Sequence, residues 1–209
     1  MVEADLGWTQ VSAREEILGR VRAALAGSDT SEVTVPRGYR SKTSDSEAVV
    51  LFCERVADYR AEVTRCREDE VQDRIAEALG SASRVVVPEG LEWEVADALG
   101  DGGLTATDLD GVDAVVTGAT VGIAETGTIV LTHGPGQGRR ALSLVPDLHV
   151  CVVRAAQVVP GVPDALPLLD PDRPTTWISG PSATSDIELD RVEGVHGPRS
   201  LHVLVVDPG

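Results

Sequence analysis

The sequence predicts an α/β fold: a mostly parallel sheet flanked by helices, with an N-terminal helical arm. Three observations carry this. Unbroken β-branched runs such as Arg84-Val-Val-Val-Pro88 and Leu148-His-Val-Cys-Val-Val153 are the pattern of strands covered on both faces. Segments of helical period alternate with those runs, as crossover connections require. Aromatic residues make up only 3% of the chain, and alanine and valine supply much of the apolar mass, which suits helices laid closely on a sheet.

Ser12-Ala-Arg-Glu15 reads as a capping box, and Ile17, Leu18, Val21 and Leu25 follow at helical spacing until Gly27. Residues 28–45 are rich in Ser, Thr, Asp, Pro and Gly without periodicity. The expected organisation is therefore an arm and linker over residues 1–45 and one α/β domain over residues 46–209. The arm's apolar stripe faces its own domain or a neighbour, which leaves a homo-oligomer open. A second capping box, Ser44-Asp-Ser-Glu47, opens a helix through Phe52 to Ala57. Residues 60–66 alternate as a short strand, and Glu68–Leu79 is a helix stopped by Gly80. Arg84–Pro88 is a strand, Leu91–Leu99 a helix ended by Gly100, and residues 104–116 reach the next strand through a Thr-Asp-Leu-Asp-Gly turn. A glycine-punctuated turn then precedes the β-like run Thr128–Leu131. Arg140–Val145 is short and mixed. Leu148–Val153 is a buried strand, and prolines leave residues 158–169 room only for a short helix. Thr175–Ile178 and Leu201–Val206 are the last strands.

The totals exclude several function classes. A formal charge of −16 supplies no cationic footprint for nucleic acid or for an anionic membrane surface. No apolar run approaches the ~20 residues that span a bilayer, and the acidic N-terminus does not read as a signal peptide. Cys53, Cys66 and Cys151 are scattered, with no C-x-x-C pair, so no zinc site, iron–sulfur cluster or disulfide framework is expected, and no metal. A reducing cytoplasm is the simplest compartment.

Candidate chemistry concentrates in residues 118–140, expected to form a crevice at the carboxyl ends of the strands. Glu125 stands between small residues, where a carboxylate serves as nucleophile, base or ligand, or merely caps a turn. Thr126, Gly127 and Thr128 border it. His133-Gly-Pro-Gly-Gln-Gly-Arg-Arg140 joins a glycine loop to paired guanidinium groups, suggesting capture of a phosphate or carboxylate through Arg140, or else a surface loop whose arginines pair with acids. It is not a P-loop. Ser179, Gly180 and Ser182 follow a strand, Asp186 lies just beyond them, and His196 and Arg199 sit in a glycine–proline loop. A Ser182–His196–Asp186 triad is a minor reading, since no G-x-S-x-G elbow is present. His149 and His202 fall inside strand runs and read as packed or edge residues.

Three blocks in order, Gly122-Ile-Ala-Glu-Thr-Gly-Thr-Ile-Val130, Ser179-Gly-Pro-Ser-Ala-Thr-Ser-Asp-Ile-Glu188 and Gly194-Val-His-Gly-Pro-Arg199, resemble the LUD-domain family, in particular its short lactate utilization protein C (LutC/YkgG) branch. The resemblance covers residue 46 to the end. It implies a fold similar to the NagB/RpiA/CoA-transferase group and a part in oxidising L-lactate to pyruvate beside iron–sulfur oxidoreductase subunits. The clusters would belong to those partners, because this chain lacks the cysteines. A stand-alone transferase or ligase using Glu125 on a CoA-linked or phosphorylated substrate is the alternative, by fold-level analogy. Whether the chain is itself an enzyme stays open. The expected ligand is a small hydroxy- or keto-acid or another anion.

Overall fold

The computed structural model describes residues 12–29, 31, 34–36, 45–184, 192–194 and 196–208. Two compact units divide the chain, residues 1–38 and 39–209. The first contains helix α1, Ala13–Leu25, opened by the expected capping box. Glu15 N–H donates to Ser12 Oγ at 3.2 Å, and the Glu15 carboxylate accepts from Ser12 N–H at 2.9 Å. Ser44, the start of the second box, lies outside the described residues.

The second unit runs α2 Asp45–Asp58, β1 Glu62–Arg67, α3 Val71–Leu79, β2 Val85–Val87, β3 Leu99–Gly100, α4 Ala106–Asp110 and β4 Ala114–Gly118. It continues through β5 Val121–Ile123, β6 Thr128–Leu131, β7 Leu148–Arg154, β8 Val158–Val159 and α5 Val162–Ala165. β9 Thr176–Ile178, β10 Ala183–Thr184, β11 Val192–Glu193 and β12 Ser200–Asp207 complete it. Six strands pair in the order β1-β12-β7-β4-β2-β3, every neighbour parallel. A four-stranded sheet, β8-β5-β6-β9, is built on the antiparallel pairs β5–β6 and β6–β9.

Period-two alternation distributes β12 over two cores. Leu201, Val203 and Val205 pack with Phe52 and Val56 of α2, while Leu204 and Val206 pack with Val71 and Ile75 of α3. β7 does the same, with Cys151 and Val153 on the α2 side and Val150 and Val152 on the α3 side. This double burial is why both strands read as continuous apolar runs. β6 repeats it on the small sheet: Ile129 and Leu131 face α2, and Val130 faces Ala165 of α5. Phe52 is fully buried between the two sheets, a burial that stabilises by about 2–3 kcal/mol.

Three local expectations are corrected. Residues 91–98 form turns and bends, not a helix. Leu91, Trp93, Val95 and Ala98 lie against the α3 core, but Asp97 sits at φ 56°, where a helix cannot continue. The Thr105 side chain caps a short helix, α4, where a turn was expected, accepting from Asp108 N–H at 3.2 Å. The glycine-punctuated turn after Gly118 contains a strand, β5, whose glycine is flat enough to lie on the Phe52 ring. Among the described residues, no helix is long and apolar enough to cross a membrane.

Candidate functional site

Parallel pairing sets Leu148 beside Ser200, so the chain enters β7 and β12 at the same end of the large sheet. The loops leading into those strands meet the segment that leaves β9. Between them lies a cleft of about 300 Å³. Arg140, Ser179, Gly180, Ser182 and His196 all line it, five expected site residues from three separate segments. The crevice expected at the carboxyl ends of the strands is thus relocated for these residues to the amino ends. Arg140 begins a 3-10 turn, Arg140–Ser143, that precedes β7, and it lines this cleft together with Ser143.

Short hydrogen bonds hold the loops together. Ser182 N–H donates to Pro198 O at 2.9 Å, Gly194 N–H to Ser182 O at 3.0 Å, and His196 N–H to Ser182 Oγ at 2.9 Å. Ser182 is therefore tied to the backbone of His196, not to its imidazole, and Asp186 lies outside the described residues. Ser179 Oγ pairs with Thr128 Oγ1 at 2.8 Å, and Thr128 Oγ1 with Thr126 Oγ1 at 2.7 Å. Thr128 thus supports the cleft from behind. The left-handed backbone of Gly180 presses on Tyr59, whose Cβ would be 2.5 Å from any added Cβ.

The floor and wall include two residues that sequence reasoning did not place in a site. His149 is 1% exposed and bonds Thr117 Oγ1 through Nε2 at 2.8 Å. Burial pushes its pKa down to about 4, so the ring is neutral at physiological pH. Trp177 of the edge strand β9 gives an exposed indole to the cleft. A histidine two positions from a cysteine inside a strand pattern was the available signal for His149, and it is shared with any packed residue. The basic character of the cleft comes from Arg140: among the described residues no carboxylate pairs with it. Its neighbour Arg139 is engaged by Asp101 through bonds of 2.8 and 3.1 Å.

Glu125 stands elsewhere. It occupies the β5–β6 hairpin turn, exposed, with its N–H donating to Pro160 O at 3.0 Å and its carboxylate over Gly161. Thr126 is exposed beside it. Gly127, at φ 58°, is required by helix α2, because an added Cβ would lie 2.7 Å from the Arg55 carbonyl carbon. Arg199 is exposed, with Nε 3.5 Å from Asp147 Oδ1.

The glycine loop that precedes Arg140 packs on the carboxyl ends of β2 and β4. Gly136 N–H donates to Glu89 O, Gly136 O accepts from Gly118 N–H, and the amides of Gln137 and Gly138 both return to Gly134 O. These amides are spent internally and form no anion nest. Gln137 fastens the loop, its Oε1 accepting from Thr132 N–H at 2.7 Å and its Nε2 donating to Thr120 Oγ1 at 2.9 Å. A broad cleft of about 960 Å³ adjoins the loop, bordered by Glu89, Asp101, His133 and Arg173. Among the described residues, no cluster of three His, Cys, Asp or Glu could hold a metal ion.

Comparison with known proteins finds relatives of the whole chain. The LUD domain profile matches residues 49–206. Lactate utilization protein C of Deinococcus radiodurans is 47% identical over 203 residues, spanning 93% of this chain and 95% of that one. The Escherichia coli protein YkgG is 28% identical over 183 residues, 77% of this chain and 79% of its own. A crystal structure of a DUF162 family protein from Deinococcus radiodurans superposes with a TM-score of 0.68 at 42% identity, covering 79% of this chain and 99% of that one.

Proposed function

The chain belongs to the LUD-domain family, and from that membership we propose that it serves L-lactate utilization in the cytoplasm by holding a small hydroxy- or keto-acid for iron–sulfur partner subunits. The name and near-full coverage of the Deinococcus relative support the pathway. The observation that carries the binding role is the cleft itself, where an arginine unpaired among the described residues meets two serines and a histidine.

Oxidation of lactate to pyruvate removes two electrons and two protons from the C2 carbinol. Arg140 would take the carboxylate through its fork of N–H donors. The hydroxyls of Ser179 and Ser182 would meet the C2 oxygen. The two electrons would leave to clusters on the partners, and the two protons, from the C2–H and the hydroxyl, to water. The chain's own thiols are ill suited to receive them. Cys53, Cys66 and Cys151 are buried or half-buried, and burial raises each above the ordinary thiol range, Cys151 to about 12. The alternative transferase reading needs Glu125 beside bound substrate, and its exposed hairpin position apart from the cleft favours the binding role instead.

Arg140→Ala is expected to weaken lactate and pyruvate binding at least about tenfold in titration calorimetry, the loss of one charged hydrogen-bonded pair. Unchanged affinity in the folded variant would remove the arginine from the site. Wild-type protein that binds neither acid would remove the ligand class.

A further inference from the structure

Among the described residues, His149 has one ring nitrogen committed and one without a partner. Nε2 lies 2.8 Å from the Thr117 hydroxyl, on the neighbouring strand β4. The Thr117 hydroxyl holds a single proton and has two acceptors within reach, this nitrogen and the Cys151 sulfur at 3.7 Å. Sulfur is the weaker acceptor, and the Cys151 thiol itself points to Gly118 O at 3.8 Å. A ring hydrogen on Nε2 would send the hydroxyl proton to the sulfur; given instead to the stronger acceptor, Nε2, that proton leaves the neutral ring's own hydrogen on Nδ1. No described residue accepts from Nδ1. Nor is that nitrogen sealed away, since the one fully enclosed side-chain polar atom without a partner among the described residues is Arg74 Nε. His149 lines the cleft, so Nδ1 opens onto it.

We propose that His149 is a ligand-contacting residue of this cleft, its neutral imidazole donating from Nδ1 to the C2 oxygen of a bound 2-oxo or 2-hydroxy acid. The inference rests on the cleft reading above and refines it. A buried donor without charge suits a carbonyl or hydroxyl oxygen, while the guanidinium of Arg140 suits the carboxylate beside it. Together they distinguish a 2-oxo acid from a plain carboxylate, because an acid lacking the second oxygen would leave the Nδ1–H desolvated and unpaired. Among the described residues, the other charged or titratable groups facing the cleft are Arg140 and His196.

Long-range nitrogen–proton NMR of the wild-type protein tests this before any substitution is made. His149 should be the Nδ1–H tautomer from pH 6 to 8, and pyruvate, but not acetate, should shift that proton. Calorimetry with pyruvate should show His149→Phe weakened about tenfold, with His149→Asn recovering part of the loss through its amide N–H. Thr117→Val, which keeps the imidazole but frees Nε2, should also weaken binding. An Nε2–H tautomer in the wild type overturns the proposal whatever the variants do. Full pyruvate affinity in folded His149→Phe, with Arg140→Ala impaired, overturns it and leaves the cleft reading standing. A wild-type protein that binds neither pyruvate nor lactate overturns both.

Discussion

Arg139 and Arg140 are adjacent in the chain and meet opposite surroundings. Arg139 turns to Asp101 and to the Leu104 carbonyl, while Arg140 turns toward the cleft, where no described carboxylate answers it. Composition marks both as cations and says nothing of this division, since Asp101 is 38 residues away from Arg139. The same holds for His149, which reads as a packed strand residue and does pack, yet leaves one nitrogen toward the cleft. Its burial also has a thermodynamic signature. Its folded pKa of about 4 lies below the ordinary histidine value of 6.5, so between those limits the unfolded chain binds the proton more readily. Stability should be unaffected by this group above pH 6.5 and should fall as pH drops from there toward 4, by about 3 kcal/mol at most. Denaturant unfolding at pH 4.5 and pH 7 should therefore differ less in His149→Phe than in the wild type, while the carboxylate contributions common to both proteins cancel.

Among the elements, the β5–β6 hairpin shows how a glycine pattern divides between function and packing. Gly122 and Gly127 flank Glu125 at short range and suggest an open approach to its carboxylate. In the structure they admit helix α2, Gly122 against the Phe52 ring and Gly127 against the backbone of Arg55 and Val56. Small residues near a carboxylate look alike in sequence whether the neighbour is a ligand or a helix far back in the chain. Gly127→Ala combines a disfavoured left-handed φ with overlap on the backbone of Arg55 and Val56. It should destabilise by about 2–3 kcal/mol in urea unfolding, with lactate or pyruvate affinity unchanged in the folded fraction. A neutral result would mean that the turn relaxes away from α2. The glycine loop 134–138 follows the same logic, for its amides close on Gly134 O and Glu89 O. The helix expected over 91–99 fails for a related reason: its apolar residues are buried by the α3 core from irregular backbone, which tertiary contact permits and periodicity cannot distinguish.

At the scale of the whole molecule, the large sheet is all parallel, and among the described residues the core clusters draw on residues 48–206. A fragment beginning at residue 39 should therefore unfold cooperatively with a Tm within about 4 °C of the full chain, corresponding to less than about 1 kcal/mol. A larger drop in a thermal melt would assign part of the core to the first unit. Much of this level was legible in advance. Runs of β-branched and Leu residues buried on both faces announce the central strands β2, β4, β7 and β12, while β1 was read from its alternation and β6 and β9 from shorter β-like runs. Their order in the sheets was not legible, because pairing depends on which crossovers pack, not on any local pattern.

Sequence alone determined the α/β class, the positions of the longer strands, the family and the set of polar segments from which a site could be assembled, because each is written in short-range periodicity or in contiguous motifs. Only the tertiary structure decided which of those segments meet. It brought Arg140, Ser179, Ser182 and His196 to the amino ends of β7 and β12 over His149, and it left Glu125 on a distant turn. The physical reason is that a cleft is defined by the register and order of strands far apart in the chain, and these follow from burial of the whole sheet at once.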